Sequence, residues 1–360
     1  MVVSGECPTV GLAGGYTQGG GHSALSTTFG LAADQTLAFE VVTASGELVN
    51  ATRSENSDLY WALSGGGGGN YGIVVSMTVK TYPDAMVSGA GLQLASAYTT
   101  ADLFYQAVEE FHTLLPAMVD NGTMIVYYFT DEYFIINPLT AFNKTSADVQ
   151  AILSPFIAVL NNLSVPFSVS YTEFATYAEH YDNYMGPLPY GNIGVEEYQF
   201  GSRLIPRSVV QENNPALQAV FRNVTGTGTI LVGIALDVSN PVTSGSVSNA
   251  VLPAWRDALV HSYFLTLWNS TAPFSEMQHN SDLMTDEYVP QLEAVTPNSG
   301  AYMNEADFRQ PNFQDVFFGK NYEILLAIKD KWDPKSLFYV TKGVGSECWN
   351  VADDGRMCKV

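Results

Sequence analysis

The chain has 360 residues, enough for two packed domains with a core in each. It is 46% hydrophobic, but no apolar run approaches the roughly 18–20 residues that cross a bilayer. Only 14% of residues are charged, 36 acidic against 15 basic, and the net charge of −21 repels phosphate backbones and anionic lipid heads, which excludes nucleic acid and membrane as partners.

In chain order, residues 1–83 are glycine-dense. The stretch from Gly11 through Gly14, Gly15, Gly19, Gly20 and Gly21 to His22 cannot hold a stable helix, because glycine costs about 1 kcal/mol per helical position. Leu37–Val42 and Leu48–Ala51 read as strands around a turn at Ser45-Gly46, and Asp58–Leu63 as a short helix entering five glycines, Gly65 to Gly69. The strand Ile73–Val79 follows, with Pro83 at the exit. Two readings stand for the glycine runs: tight turning alone, or a backbone brought close to a ligand. Neither has the strand–Gly-x-Gly-x-x-Gly–helix order of a dinucleotide site, and no Gly-Lys-Ser/Thr step marks a P-loop.

From residue 84 to 300, aromatic and aliphatic strands alternate with amphipathic helices. Ala101–Leu115 places Leu103, Phe104, Ala107, Val108, Phe111 and Leu115 on one face, with Pro116 expected to stop the helix. Thr145 to Asp148 opens another helix as a capping box. Met124–Phe129, Phe134–Phe142, Ile230–Val238 and Leu259–Leu267 read as strands. This mixed order predicts an α+β fold, an antiparallel sheet with helices on one face. Residues 301–360 hold one long helix, about Phe313 to Lys331, then a glycine-punctuated tail.

His112 reads as a structural histidine on its helix, and His180, His261 and His279 show no metal-ligand spacing, so no metal is expected. No Gly-x-Ser-x-Gly elbow occurs, which removes the common hydrolase reading. Cys348 and Cys358, ten residues apart, are expected to pair, leaving Cys7 free. Six sequons, at Asn50, Asn121, Asn143, Asn162, Asn223 and Asn269, point to a glycoprotein of the secretory pathway, although the first residues have no signal-peptide pattern.

The segment Glu6-Cys7-Pro8-Thr9-Val10-Gly11, with Gly14-Gly15-Tyr16 and Gly19 to Ser23, resembles the flavin-contacting stretch of the berberine bridge enzyme-like oxidases, of the vanillyl-alcohol-oxidase/p-cresol-methylhydroxylase superfamily. The likeness continues through Gly30–Asp34, Asp58–Leu63 and Asn70–Val74. It resumes at Lys320-Asn321-Tyr322, Ile328-Lys329, Asp333-Pro334 and Leu337–Tyr339, and is similar to filamentous-fungal members. The resemblance implies FAD as cofactor, with Cys7 at the position bonded through sulfur to the flavin ring. It places Val10, Gly11, Gly14, Gly15, Gly19, Gly20, Gly21 and His22 along the flavin, and Gly72, Ile73 and Val74 at its adenine side. His22 has two readings, facing the flavin or hydrogen-bonded in the loop. Asn321 and Tyr322 are expected to face the site. Tyr302-Met303-Asn304-Glu305 is similar to the family's Tyr-x-Asn-Tyr segment with Glu305 in place of the second tyrosine. Glu305 is therefore the candidate base, against a reading as a solvent-facing residue, with Tyr302 and Tyr322 as further catalytic candidates.

The same resemblance implies three parts: 1–83 as the C-terminal lobe of a PCMH-type FAD-binding domain, 84–300 as an antiparallel-sheet substrate domain with helices on one face, and 301–360 returning to the FAD domain. The lobe that binds the pyrophosphate is expected to lie outside these residues. The implied activity is hydride transfer from a small organic substrate, a secondary-metabolite intermediate or a sugar, to flavin, with molecular oxygen as acceptor. Tyr127, Tyr128, Phe134, Tyr181, Tyr184 and Tyr190 fit either substrate. The alternatives are a non-redox binding protein, a cyclase or an inactive remnant.

Overall fold

In a computed structural model, residues 1–188, 191, 197–239, 248–352 and 354–360 are described, so Tyr190 lies outside the described residues. Strands β1 (Thr36–Val42), β2 (Leu48–Thr52) and β3 (Ile73–Val79) form an antiparallel sheet of order β2-β1-β3. Strands β4 (Val87–Ala95), β5 (Thr123–Phe129), β6 (Tyr133–Phe142), β7 (Phe167–Phe174), β8 (Tyr198–Pro206), β9 (Ile230–Ala235) and β10 (Ala258–Leu267) form a larger one, of order β7-β4-β6-β5-β9-β10-β8. Every neighbouring pair in it is antiparallel. The architecture is α+β, as the mixed pattern of elements predicts.

Side-chain alternation assigns the two faces of the large sheet. Ile125, Tyr127 and Phe129 of β5, Leu231 and Ala235 of β9, and Val260 and Phe264 of β10 pack under the helices Ala101–Asp120, Ser146–Asn162, Asn214–Thr225 and Val289–Val295 in one buried cluster. Thr100 caps the first of these helices by accepting from Leu103 N–H at 3.3 Å, and Thr145 with Asp148 forms the expected capping box on the second. The first helix runs through Pro116 to Asp120, because a proline interrupts only one backbone bond and the apolar stripe continues in Met118 and Val119.

A second cluster joins Phe39, Val41, Leu59 and Leu63 to Phe313, Phe317, Phe318, Tyr322, Leu325 and Ile328. The expected helix over 313–331 is broken: Gly319 at φ 54° ends a π-helical turn, and the regular helix occupies Tyr322–Trp332. Lys329 from that helix donates to Asn70 O at 2.8 Å and to Asp333 at 2.7 Å, tying the second glycine run to the tail. The tail ends in a hairpin, β11 (Trp349–Val351) with β12 (Met357–Lys359). Its register sets Cys358 opposite Asn350, while Cys348 precedes the ladder, so the expected disulfide is not formed and all three cysteines are free. Diagonal hairpin positions lie about 7–8 Å apart, beyond the reach of a disulfide.

Candidate active site

The first glycine run is a tightly folded loop whose end presents His22. Gly21 has φ 74°, and a Cβ there would stand 2.9 Å from both Ala32 and the Tyr16 ring, so only glycine fits. Ala32 N–H and Ala33 N–H donate to the carbonyls of Gly21 and Gly20 at 2.8 and 2.9 Å, and the Tyr16 hydroxyl donates to His22 O at 2.8 Å. The second run packs against the first: Gly67 N–H donates to Gln18 O at 2.7 Å, and a Cβ on Gly68 would lie 2.9 Å from Gly15 Cα.

Two further elements meet this loop. On β10, the odd-numbered side chains His261, Tyr263 and Leu265 point away from the helices, since Val260 and Phe264 belong to the helix-covered core. After Tyr302, a single 3₁₀ turn over Met303–Glu305 aims Glu305 at both histidines. The Asn304 amide anchors that turn, donating to Gly15 O at 2.9 Å and Tyr302 Oη at 2.8 Å. His22 Nε2 lies 3.2 Å from each carboxylate oxygen of Glu305, and His261 Nε2 lies 2.8 Å from Oε2. A carboxylate can only accept, so each imidazole donates from Nε2. The Nδ1 atoms of His22 and His261 are buried without a hydrogen-bond partner among the described residues. Trp255 and Tyr302 wall the group, their rings 5.4–6.3 Å from that of His22.

The electrostatics separate the two histidines. Burial would lower the His22 pKa, but the charge and hydrogen bond of Glu305, with help from Glu6, raise it above the ordinary 6.5. For His261 burial wins, and its pKa is lowered despite the same carboxylate. Burial alone would raise Glu305, but His22 and His261 together hold it well below the usual carboxylate range. Glu6, whose Oε1 has no partner, is pushed up to about 7 by burial and by Glu305, against the pull of His22.

Among the residues singled out in the sequence, His22, Tyr302 and Glu305 are therefore brought together, and Glu305 is an engaged carboxylate rather than a solvent-facing one. Held below its usual range, it is a poor base by itself, which moves proton acceptance towards an imidazole. Asn321 and Tyr322 are turned elsewhere. Asn321 donates to Ala250 O and Val251 O at 3.2 Å each, and the Tyr322 hydroxyl bonds Glu347 within the second core cluster. Cys7 is half-buried, its Sγ 3.0 Å from Thr9 Oγ1, and Val10 is exposed. Gly72 precedes β3, where Ile73 and Val74 pair with Val42 and Val41 on the outer edge of the small sheet. His261 was not anticipated. It lies 44 residues from Glu305, and the available signal was its place on the polar-tolerant face of an apolar strand.

A flavin fits the loop chemically. A Cβ on Gly11 or Gly14 would meet nothing within 4 Å, so open space borders the loop, and Thr17 Oγ1, Gln18 Oε1 and Asn70 Oδ1 are buried without partners beside it. A ring nitrogen of His22, one of His261 and a carboxylate oxygen of Glu305 lie within 4.8 Å of one another, a convergence that sequence spacing did not reveal. Their 2.8 and 3.2 Å separations are hydrogen bonds, the geometry of a proton-sharing group.

The family model described as "Berberine and berberine like" matches residues 301–345. An FAD-linked oxidoreductase of Gibberella zeae, ZEB1, is 53% identical over 359 residues, covering 100% of this chain and 62% of that protein. The VAO-type flavoprotein MtVAO615 of Myceliophthora thermophila superposes with a TM-score of 0.93 at 37% identity, covering 100% of this chain and 65% of that one. Glucooligosaccharide oxidase of Acremonium strictum, described with a 6-S-cysteinyl, 8α-N1-histidyl FAD, shares the fold (TM-score 0.74, 22% identity, 96% of this chain and 73% of that one). The chain spans about three fifths of the length of the curated relatives it matches. No described helix is long and apolar enough to cross a membrane.

Proposed function

The chain belongs to the berberine bridge enzyme-like, vanillyl-alcohol-oxidase-type FAD-linked oxidoreductases, and from that premise we propose that it forms the flavin-facing and substrate-facing walls of an oxidase. The observation that carries this is the convergence of His22, His261 and Glu305 at the end of the glycine loop that begins with a free Cys7.

Cys7 would hold the flavin through its sulfur, and the open backbone beside Gly11 and Gly14 would lie along it, with Thr17, Gln18 and Asn70 offering polar contacts. Bound there, FAD supplies a two-electron sink for a hydride from substrate carbon, with molecular oxygen as the final acceptor. The protein's own task is the hydroxyl proton. His22 takes it on Nδ1, its Nε2–H already committed to Glu305. That carboxylate fixes the tautomer and stabilises the imidazolium that forms, the division of labour of a base and its orienting acid. His261 remains the neutral second donor, and Trp255 and Tyr302 keep water away. The substrate is a small organic alcohol.

The six sequon asparagines are all exposed, which supports placing the protein in the secretory pathway. The division into 1–83, 84–300 and 301–360 is likewise proposed, supported by the core cluster that joins the first part to the last.

The tether gives the direct test. Purified protein should be yellow, and the colour should stay with the acid-precipitated pellet. In Cys7→Ala the thioether's contribution is lost, and anaerobic flavin reduction should slow because the potential falls. A colourless protein that takes up no added FAD would refute the reading.

A further inference from the structure

The sheet surface beside the histidine pair carries information on substrate chemistry. Tyr263 follows His261 on the open face of β10, its ring 5.3 Å away. Phe200 packs against Tyr263 at 5.4 Å, and Leu265 pairs across the ladder with Phe200. In the other direction Val232 sits opposite Tyr263, and Tyr128 opposite Val232. This row is continuous with the proton-sharing group and mostly half-buried, and it contains no Asp, Glu, Lys or Arg in a chain with 36 acidic residues. Its one embedded polar side chain besides the tyrosines is Ser202, paired across from Tyr263, fully buried and with a hydroxyl that has no partner among the described residues.

A sugar carries a hydroxyl on nearly every carbon, and each one stripped of water needs a partner. Against that, this surface offers the hydroxyls of Tyr263 and Tyr128, several apolar rings and no charge, with Ser202 buried beneath it. From that mismatch, and resting on the alcohol-oxidase reading for the reacting end, we infer that the substrate is an alcohol on an aromatic or otherwise apolar body, with at most two further polar groups, placed to meet the hydroxyls of Tyr263 and Tyr128. The body lies along Tyr263, Phe200, Val232 and Tyr128 while the hydroxyl meets His22.

The test uses flavin-loaded protein and ω-phenylalkan-1-ols with two to six carbons between ring and hydroxyl, with cellobiose as the sugar probe. Binding is read by tryptophan fluorescence and flavin reduction on the same samples. Each added methylene should lower Kd about three- to fourfold while the chain stays on the apolar row. Phe200→Ser should flatten this series to less than about twofold per carbon, and the wild-type series decides the question should that variant not fold. Cellobiose should neither bind nor reduce flavin at matched concentrations. A flat wild-type series, or cellobiose binding as tightly as the phenylalkanols, overturns the inference. A steep series without flavin reduction supports it and refutes the oxidase reading instead, so the two failures are distinct.

Discussion

The two faces of the seven-stranded sheet bury their histidines to a similar depth in different company. On the helix-covered face, His112 donates from Nδ1 to Val108 O at 2.8 Å and accepts at Nε2 from the Tyr127 hydroxyl at 2.9 Å. Burial pushes its pKa down to about 4, with the Val108 bond a lesser opposing influence. On the open face, His261 and the loop residue His22 share one carboxylate, and His22 rises above the ordinary value instead. Burial alone makes a neutral, inert imidazole, and the half-buried Glu305 carboxylate lifts His22, though not His261, to where it can take a proton near neutral pH.

The largest expected effect removes that difference. Glu305→Gln keeps the shape and a hydrogen-bond acceptor but cannot stabilise an imidazolium. Anaerobic flavin reduction should then slow by roughly two to four orders of magnitude, with little change in substrate affinity. Stopped-flow reduction at the parent rate would show that the base lies elsewhere, and Tyr302 would become the next candidate. In the wild type, reduction should accelerate as pH rises through a value above 6.5, because the acceptor must be neutral before it takes the proton.

A smaller effect belongs to two histidines buried away from Glu305, His112 on the helix-covered face and His180, beside Thr140, on the other. His112 and His180 both sit at about 4 when folded, against 6.5 for the ordinary group. The unfolded chain therefore binds their protons first, and the stability these residues contribute is full above pH 6.5 and lost as pH falls from 6.5 to 4. Each should remove about 3 kcal/mol over that window. Urea melts at pH 7 and pH 4.5 would measure the loss, and His112→Gln should remove roughly half of it. Equal pH dependence in that variant would mean that His112 is not held neutral.

Much of this contrast was legible in the sequence on the helix-covered side and little of it at the site. The runs that became β5, β6, β9 and β10 are rich in β-branched and aromatic residues, and the Thr145–Asp148 box fixes a helix start through local bonds alone. Local signals failed where tertiary contacts decide. The helix continues past Pro116 because its apolar stripe is covered, and the helix expected from Phe313 is broken by a left-handed Gly319. β4, β7 and β8 went unrecognised, since the Gly, Ser and Gln residues within them read as loop. The resemblance of the glycine loop led to His22, and a substituted tyrosine led to Glu305. His261 had no local mark, because its meaning comes from the register of β10 and a carboxylate on another segment.

Whether Glu305 sets the charge state of His22 can be read from an NMR titration of the histidine ring protons in the wild type and in Glu305→Gln. His22 should titrate above 6.5 and His261 below it in the wild type, and His22 should fall below 6.5 in the variant as burial takes over. A His22 that titrates at the same pH in both proteins, or below 6.5 in the wild type, would contradict that role of Glu305.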